Sequence, residues 1–190
     1  MSLARWYAHT QGCGTPQVMR HWLADKGSLT LKLRARCQQF RVKRLHQQHA
    51  RCLRDEAGVL GLAYPQQTWE REVLLYCDQM PMVFAHTVVP LAATANDWPL
   101  FSALGERSLG TTLFGDPLVQ RGKLHFARLT PPHPLFQRAL LALQRNGIAP
   151  PVTLELFARR CLYRRKQGLL LVTEVFLPWI SELAPPAIAG

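Results

Sequence analysis

The chain has 190 residues, of which 48% are hydrophobic and 18% are charged. This length and composition suit one compact globular domain spanning residues 1–190 and exclude a disordered tail. Lys and Arg number 23 against 12 Asp and Glu, so the formal net charge is +11 and favours anionic partners. A nucleic acid, an acidic membrane surface or a small polyanion would each suit that charge, but no RNA-binding motif accompanies it.

No segment of the sequence is suited to span a membrane. The longest apolar runs, such as residues 169–172 and 88–95, are far shorter than the roughly 20 residues that a membrane-spanning helix needs. The N-terminus carries Arg5 and then the polar His9 and Thr10, and it lacks the apolar core of a secretory signal. Five scattered cysteines without a C-x-x-C pair are typical of free, mostly buried thiols in a reducing compartment. We therefore expect a cytoplasmic protein.

The middle of the chain predicts an antiparallel hairpin. Along residues 68–77 the side chains alternate between the two sides of a pleat, and one side carries Trp69, Arg71, Val73, Leu75 and Cys77. Turn-forming residues follow at 78–81, and a second β-prone run covers residues 82–89.

Further strands are predicted on both sides of this hairpin. Residues 153–165 and 169–177 form a second hairpin candidate, joined by the short polar turn 166–168. Residues 40–45 and 123–129 are additional strand candidates. Strands in hairpins, with helices before and between them, predict an α+β fold around an antiparallel sheet rather than a parallel α/β fold.

Three segments suggest helices. The apolar residues of segment 135–143 recur on one helical face and predict an amphipathic helix. Residues 98–114 predict a short helix, a break, and a second short helix that starts near Ser108. Residues 28–37 are ambiguous, because their alternating leucines suit a strand whereas Ser28 is a good helix N-cap.

Familiar catalytic and metal motifs are missing. The sequence has no glycine-rich phosphate loop, G-x-S-x-G nucleophile elbow or H-E-x-x-H metal helix. His46 and His49 would share one face of a helix, but no third ligand is nearby, so we expect both to be surface residues. No metal site is predicted.

Two charged residues stand out because of their apolar company. Arg71 shares its predicted pleat face with Trp69 and Val73, where a guanidinium is costly to bury unless an anion meets it. That anion could belong to the chain itself or to a ligand. Glu174 interrupts the apolar run LLLVTEVFLP, and it could pair with a cation, extend to solvent at a sheet edge or act as a site acid.

Three segments resemble the chorismate lyase (chorismate pyruvate-lyase) family. Residues 69–90, WEREVLLYCDQMPMVFAHTVVP, are similar to a strand that opens with tryptophan and arginine and a hairpin that closes with T-V-V-P. SLGTTLF at 108–114 resembles the family's L-G-x-x-L-F segment, and residues 159–178, RRCLYRRKQGLLLVTEVFLP, resemble its basic strand, turn and T-E-x-F-L-P ending. A weaker match at 22–30 favours a short helix after Ser28, and the segments follow the family's order over most of the chain.

The sequence departs from the family pattern at two places. His86 stands where the family often has an arginine before T-V-V-P, which puts in doubt an anion-binding role for that position. The predicted helix within residues 131–151 looks like an insertion relative to shorter relatives.

The resemblance implies a cofactor-independent enzyme, built as a single domain in which helices pack on an antiparallel sheet and helical lids cover a buried pocket. Its reaction would convert chorismate to 4-hydroxybenzoate and pyruvate, the first committed step toward ubiquinone. By the same resemblance, Arg71 binds the ring carboxylate, and Glu174 lies near the C4 hydroxyl and the ether oxygen. Leu109 and Leu29 would contribute backbone amides to the carboxylate and apolar walls to the ring. No metal or redox cofactor is required, because loss of the enolpyruvyl group aromatises the ring.

Two other functions compete with this one. A related fold serves as the ligand-binding module of some transcriptional regulators, so the chain could be a non-catalytic sensor of aromatic carboxylates; those regulators carry a separate DNA-binding domain, for which we see no spare length. The positive charge could instead serve nucleic-acid binding. We expect a monomer whose partners are chorismate and 4-hydroxybenzoate, with no nucleic acid and no membrane span.

Overall fold

The fold is built on one antiparallel β-sheet. The computed structural model describes residues 3–94 and 96–183, and a six-stranded sheet runs through this part of the chain. The strands are β1 (Phe40–Arg51), β2 (Gln67–Cys77), β3 (Met80–Pro90), β4 (Val119–Leu129), β5 (Leu156–Arg165) and β6 (Gly168–Phe176). Their order across the sheet is β1-β2-β3-β6-β5-β4, and every neighbouring pair is antiparallel. The predicted α+β class is confirmed.

Short helices surround this sheet. They are α1 (Gln17–Leu23), α2 (Leu29–Arg34), α3 (Arg54–Ala57), α4 (Leu91–Thr94), α5 (Leu109–Gly115) and α6 (Pro134–Arg145), with single 3-10 turns at Thr10–Cys13 and Pro178–Glu182. Within the described residues, no helix is long and apolar enough to cross a membrane.

The two faces of the sheet carry separate cores, because successive side chains of a strand point in opposite directions. On the inner face, Val73 and Leu75 pack with Trp22 of α1 and Leu33 of α2. On the outer face, Leu74 and its neighbours pack against α6, which buries Leu135, Phe136, Ala139, Ala142 and Leu143. Burying each large apolar side chain contributes roughly 1.5–3 kcal/mol, so α6 covers the outer face firmly.

Most of the predicted elements are present. The alternation in β2 is confirmed, and both hairpins form, with Asp78 and Lys166 in the left-handed region of their turns at φ 55° and 53°. The ambiguous segment is helical, and the Ser28 hydroxyl accepts a hydrogen bond from the Leu31 N–H at 3.4 Å. Helix α6 ends at Arg145, where Asn146 caps it.

Two local predictions are wrong. Residues 98–104 form turns instead of a first short helix, although α5 follows Ser108 as predicted. The segment with His46 and His49 is not helical, since β1 continues to Arg51 and pairs with β2 along its whole length. His49 is exposed as expected, but His46 is half-buried and its Nε2 lies 2.9 Å from Glu70 Oε1.

Candidate active site

A cavity lies on the inner face of the sheet, beneath α2 and α5. Its lining comprises Gly27, Leu29, Thr30, Val42, Arg71, Val73, Leu75, Ala85, Thr87, Ser108, Leu109, Gly110, Leu113, Phe114, Arg121, Arg159, Tyr163, Val172 and Glu174. Most of these side chains are apolar, and the charged ones are three arginines and one glutamate. Apolar walls with a few charged groups suit a small anionic molecule that has an apolar body. All four residues predicted for the site, Arg71, Glu174, Leu29 and Leu109, line this cavity.

Arg71 is buried in β2, and among the described residues it has no acidic partner. Only 2% of its surface is exposed, and its Nη2 donates hydrogen bonds to the carbonyls of Gly105 at 3.0 Å and Arg107 at 2.9 Å. Its Nε has no hydrogen-bond partner, and no carboxylate of the described residues forms an ion pair with it. Burial, together with the charge of Arg44, lowers the pKa of Arg71 to about 10. The guanidinium is therefore charged at neutral pH and lacks a compensating anion.

Glu174 lies on β6, facing the same cavity, and pairs with Arg159. Arg159 stands opposite Glu174 in the β5–β6 register, and its Nε donates to Glu174 Oε2. The Nη1 of Arg159 also donates to the carbonyls of Trp22, Leu23 and Asp25 at the C-terminal end of α1. The Glu174 side chain keeps 20% of its surface exposed. Of the three alternatives left open for Glu174, the structure shows pairing with a cation, and β6 is not an edge strand of the sheet. The role of a site acid stays a prediction.

Helices α2 and α5 form the roof of the cavity. Leu29 and Leu109 are the first residues of these helices, so their backbone N–H groups have no acceptor within the helix. A hydrogen bond between the hydroxyls of Thr30 and Ser108 connects the two helices. The carbonyls that Arg71 binds belong to the segment just before α5, so the same guanidinium also holds this roof in place.

Further cavity residues were missed from the sequence. Arg159 and Tyr163 lie four residues apart on the inner face of β5, and Arg121 on β4 stands opposite Tyr163. Burial raises the pKa of Tyr163, so its phenol is neutral. The alternation of β5 could have identified Arg159 and Tyr163, had the register with β6 been known.

A second charged cluster lies on the outer face, away from the cavity. His46, Glu70 and Glu72 are the group of described residues with suitable spacing for a metal, their ligand atoms lying within 4.8 Å of one another. The place between the carboxylates is taken by Arg138 Nη1, at 2.8 Å from both Glu70 Oε2 and Glu72 Oε1. This group is therefore a protein charge network rather than a metal centre.

His86 belongs to this outer cluster. Its Nδ1 lies 3.0 Å from Glu72 Oε1, and its Nε2 lies 3.0 Å from Glu56 Oε1, close enough for an ion pair although not aligned for a hydrogen bond. The side chain is fully buried. Position 86 thus points away from the cavity, and in this chain it offers no contact to a ligand there.

Comparison with known proteins agrees with this architecture. A profile of the chorismate lyase family matches residues 1–183. Proteins named "Probable chorismate pyruvate-lyase" are 46% identical in Cupriavidus metallidurans, covering 98% of this chain and 86% of the relative, and 43% identical in Nitrosomonas eutropha, covering 92% and 95%.

Among solved structures, the effector domain of PhnF from Mycobacterium smegmatis is similar in fold. It has a TM-score of 0.53 and 16% identity, with 80% of this chain and 89% of that chain covered. The structure of PhnF from the same organism gives a TM-score of 0.56 and 17% identity, covering 81% and 65%. At such identities the likeness concerns the fold alone. The profile match along nearly the whole chain and the identity to the curated relatives show that this chain belongs to the chorismate lyase family.

Proposed function

We propose that this protein is a carbon–oxygen lyase that cleaves chorismate to 4-hydroxybenzoate and pyruvate, the first committed step toward ubiquinone. The observation that carries the proposal is the buried guanidinium of Arg71, which has no acidic partner among the described residues and shares a cavity with Glu174. The proposal rests on family membership for the reaction and on this geometry for the roles of the residues.

Arg71 is proposed to bind the ring carboxylate of chorismate. A guanidinium presents several N–H donors in one plane, so it can hold a carboxylate while Nη2 still binds the carbonyls of Gly105 and Arg107. The carboxylate would supply the missing counter-charge. The backbone N–H groups of Leu29 and Leu109 would donate to the same carboxylate, and their side chains would cover the ring.

Glu174 is proposed to meet the other end of the ring, near the C4 hydroxyl and the ether oxygen. The carboxyl group of Glu174 is held by the guanidinium of Arg159 and can accept further hydrogen bonds. Glu174 would accept a hydrogen bond from the C4 hydroxyl and so fix the orientation of the ring. Arg159 then acts as a positioning residue, because it holds Glu174 and the end of α1 together.

The reaction asks little of the protein beyond positioning. The C3–O bond breaks with its electron pair going to the ether oxygen, the C4 hydrogen leaves as a proton, and the ring becomes aromatic. The enolpyruvate that departs takes up a proton on its methylene carbon to become pyruvate. A closed cavity that holds the reactive conformation, excludes water and stabilises charge on the ether oxygen can supply the needed acceleration.

Several broader features belong to the same proposal. Residues 1–190 would act as one domain and as a monomer in the cytoplasm, with chorismate and 4-hydroxybenzoate as partners and without nucleic acid. The basic surface would raise the local concentration of a dianionic substrate near the cavity. At roughly physiological salt, the protein should fail to retard RNA or DNA.

The direct test is a chorismate assay in a metal-chelating buffer, with both products quantified. Equal amounts of pyruvate and 4-hydroxybenzoate are expected, and Arg71→Gln should lower kcat/KM by about 30-fold or more, because losing one partner of a buried charged pair costs about 2–5 kcal/mol. Arg164→Gln changes an exposed arginine on β5 and serves as the matched control. Binding of 4-hydroxybenzoate without consumption of chorismate would favour the sensor, and full activity of Arg71→Gln would refute the site assignment.

A further inference from the structure

We infer that Arg121 binds the second carboxylate of the substrate, the one on the enolpyruvyl group, and so distinguishes the substrate from the aromatic product. This inference deepens the proposed function and rests on it. It concerns a residue that the sequence patterns did not identify, on a strand at the edge of the sheet.

The charges of the cavity leave Arg121 available. The lining of the cavity contains three guanidinium groups and one carboxylate, which leaves a surplus of two positive charges. Chorismate carries two negative charges. Arg159 is engaged by Glu174 and by the carbonyls at the end of α1. With Arg71 assigned to the ring carboxylate, Arg121 is the remaining cavity cation within the described residues, and it can complete the pairing of charges.

The contacts of Arg121 leave part of its guanidinium free. Its Nη1 donates to the carbonyl of Lys26, just before α2, and the guanidinium lies 5.2 Å from the ring centroid of Phe114 on α5. Its Nε is buried and has no hydrogen-bond partner among the residues that the structure describes. A buried N–H without an acceptor is costly, so an anion in the cavity would relieve this cost. Because Arg121 contacts both helix α5 and the segment that precedes α2, an anion bound there would also favour the closed roof.

The sheet order places Arg121 on the opposite side of Glu174 from Arg71. Arg71 is on β2, Glu174 on β6 and Arg121 on β4, so Glu174 lies two strands from each arginine. At a spacing of about 4.8 Å per strand, the two arginine backbones are separated by about 19 Å along the sheet, and their long side chains enter the cavity from opposite flanks. A ring held between Arg71 and Glu174 directs the substituent on C3, next to C4, toward the flank of Arg121.

The electrostatic surroundings of Arg121 agree with this placement. Burial acts to lower the pKa of Arg121, but the neighbouring Tyr163, Cys161 and Glu174 outweigh it and raise the pKa. Arg121 is therefore a permanent cation close to Glu174, near the ether oxygen on which negative charge develops as the C3–O bond breaks. It could stabilise that charge in addition to binding the carboxylate.

The test compares chorismate, which has two carboxylates, with 4-hydroxybenzoate, which has only the ring carboxylate. In Arg121→Gln, kcat/KM for chorismate should fall about 30-fold or more, whereas the Kd for 4-hydroxybenzoate should change less than about threefold. In Arg71→Gln, both values should worsen. Arg121→Lys keeps the charge and should recover part of the chorismate activity. Arg128→Gln, an exposed position on the same strand, is the control.

Two results would overturn the inference. One is an unchanged kcat/KM for chorismate in Arg121→Gln, and the other is an equal loss of affinity for chorismate and 4-hydroxybenzoate, which indicates a purely structural role. If Arg121→Gln does not fold, Arg121→Lys provides the same comparison, and equal weakening of both ligands again refutes the assignment. If the wild-type protein released no pyruvate from chorismate, the proposed function itself would be refuted.

Discussion

Replacing His86 with leucine should strongly destabilise the fold while leaving the active site intact. His86 is fully buried between Glu56 and Glu72, with a nitrogen 3.0 Å from each carboxylate. Leucine would fill much of the volume but would remove the cation between these two buried acids. Since His86 points to the outer face, the lining of the cavity would not change.

The expected loss of unfolding free energy follows from the two buried carboxylates that His86→Leu leaves without a cation between them. Removing one partner of a buried ion pair costs about 3–5 kcal/mol, because an uncompensated charge remains. Glu72 would keep Arg138 at 2.8 Å and Glu56 would keep the Leu53 N–H at 2.8 Å, so the lower half of that range is expected. For a domain of this size, a loss of about 3–4 kcal/mol lowers Tm by roughly 6–16 °C.

Urea denaturation followed by tryptophan fluorescence and circular dichroism would measure this loss. The control is Arg128→Ala, which removes a pair whose side chains are 54% and 44% exposed and should cost about 0–1 kcal/mol. If His86→Leu lost less than about 1 kcal/mol, the cluster would not be a significant source of stability. Activity against chorismate below the unfolding transition should equal that of the wild type.

The stability difference between the wild type and His86→Leu should also depend on pH. Burial alone would lower the pKa of His86, but Glu56 and Glu72 outweigh it and raise the pKa from 6.5 to about 10. A raised histidine pKa means that the ion pairs stabilise the fold fully below pH 6.5 and progressively less as the pH rises to 10. The stability difference between the wild type and His86→Leu should therefore shrink between pH 7 and 10, and a constant difference would contradict this reasoning.

Two further substitutions test the roof and the start of β6. Thr30→Val removes the hydrogen bond to Ser108, a contribution of about 0.5–1.5 kcal/mol, so the Kd for 4-hydroxybenzoate should rise about 2- to 10-fold by calorimetry; an unchanged Kd would show that this bond does not hold the roof closed. Gly168→Ala would place a Cβ 2.4 Å from the Cβ of Asp97, so overpacking of about 1–3 kcal/mol should lower Tm by about 2–12 °C. A Tm within 1 °C of the wild type in scanning calorimetry would rule out this clash.

Patterns within single strands were predictable from the sequence. The alternation along β2 placed Arg71 on the apolar inner face before any contact was known. The periodicity of α6 identified Leu135, Phe136, Ala139 and Leu143 as buried, but it missed Ala142 and included Leu140, which is only partly buried. These predictions succeed because the direction of a side chain depends only on its own strand or helix.

Features that depend on pairing between strands were not predictable. The ion pair of Arg159 with Glu174 requires the register of β5 against β6. Arg121 was outside the predicted strand, which was expected to begin at residue 123, and the register of β4 shifts between Arg121 and Leu124. His46 lies in a polar segment with little strand character of its own, and pairing with β2 extends β1 through it.

The order Glu70, Arg71, Glu72 explains why the guanidinium at the proposed anion site is not neutralised by its neighbours in the sequence. In an irregular loop, the two glutamates could turn toward the guanidinium between them and neutralise it. In β2, alternation sends both glutamates to the outer face, where His46, His86 and Arg138 pair with them. Burial acts to raise the pKa of Glu70, but its hydrogen bonds with His46 and Arg138 and the charge of His86 lower the pKa to about 2. Glu70 is therefore ionised, and its charge is compensated by residues on the outer face. Within the described part of the chain, Arg71 is left on the inner face with only backbone carbonyls as partners, and in the proposed function the substrate carboxylate supplies the counter-charge.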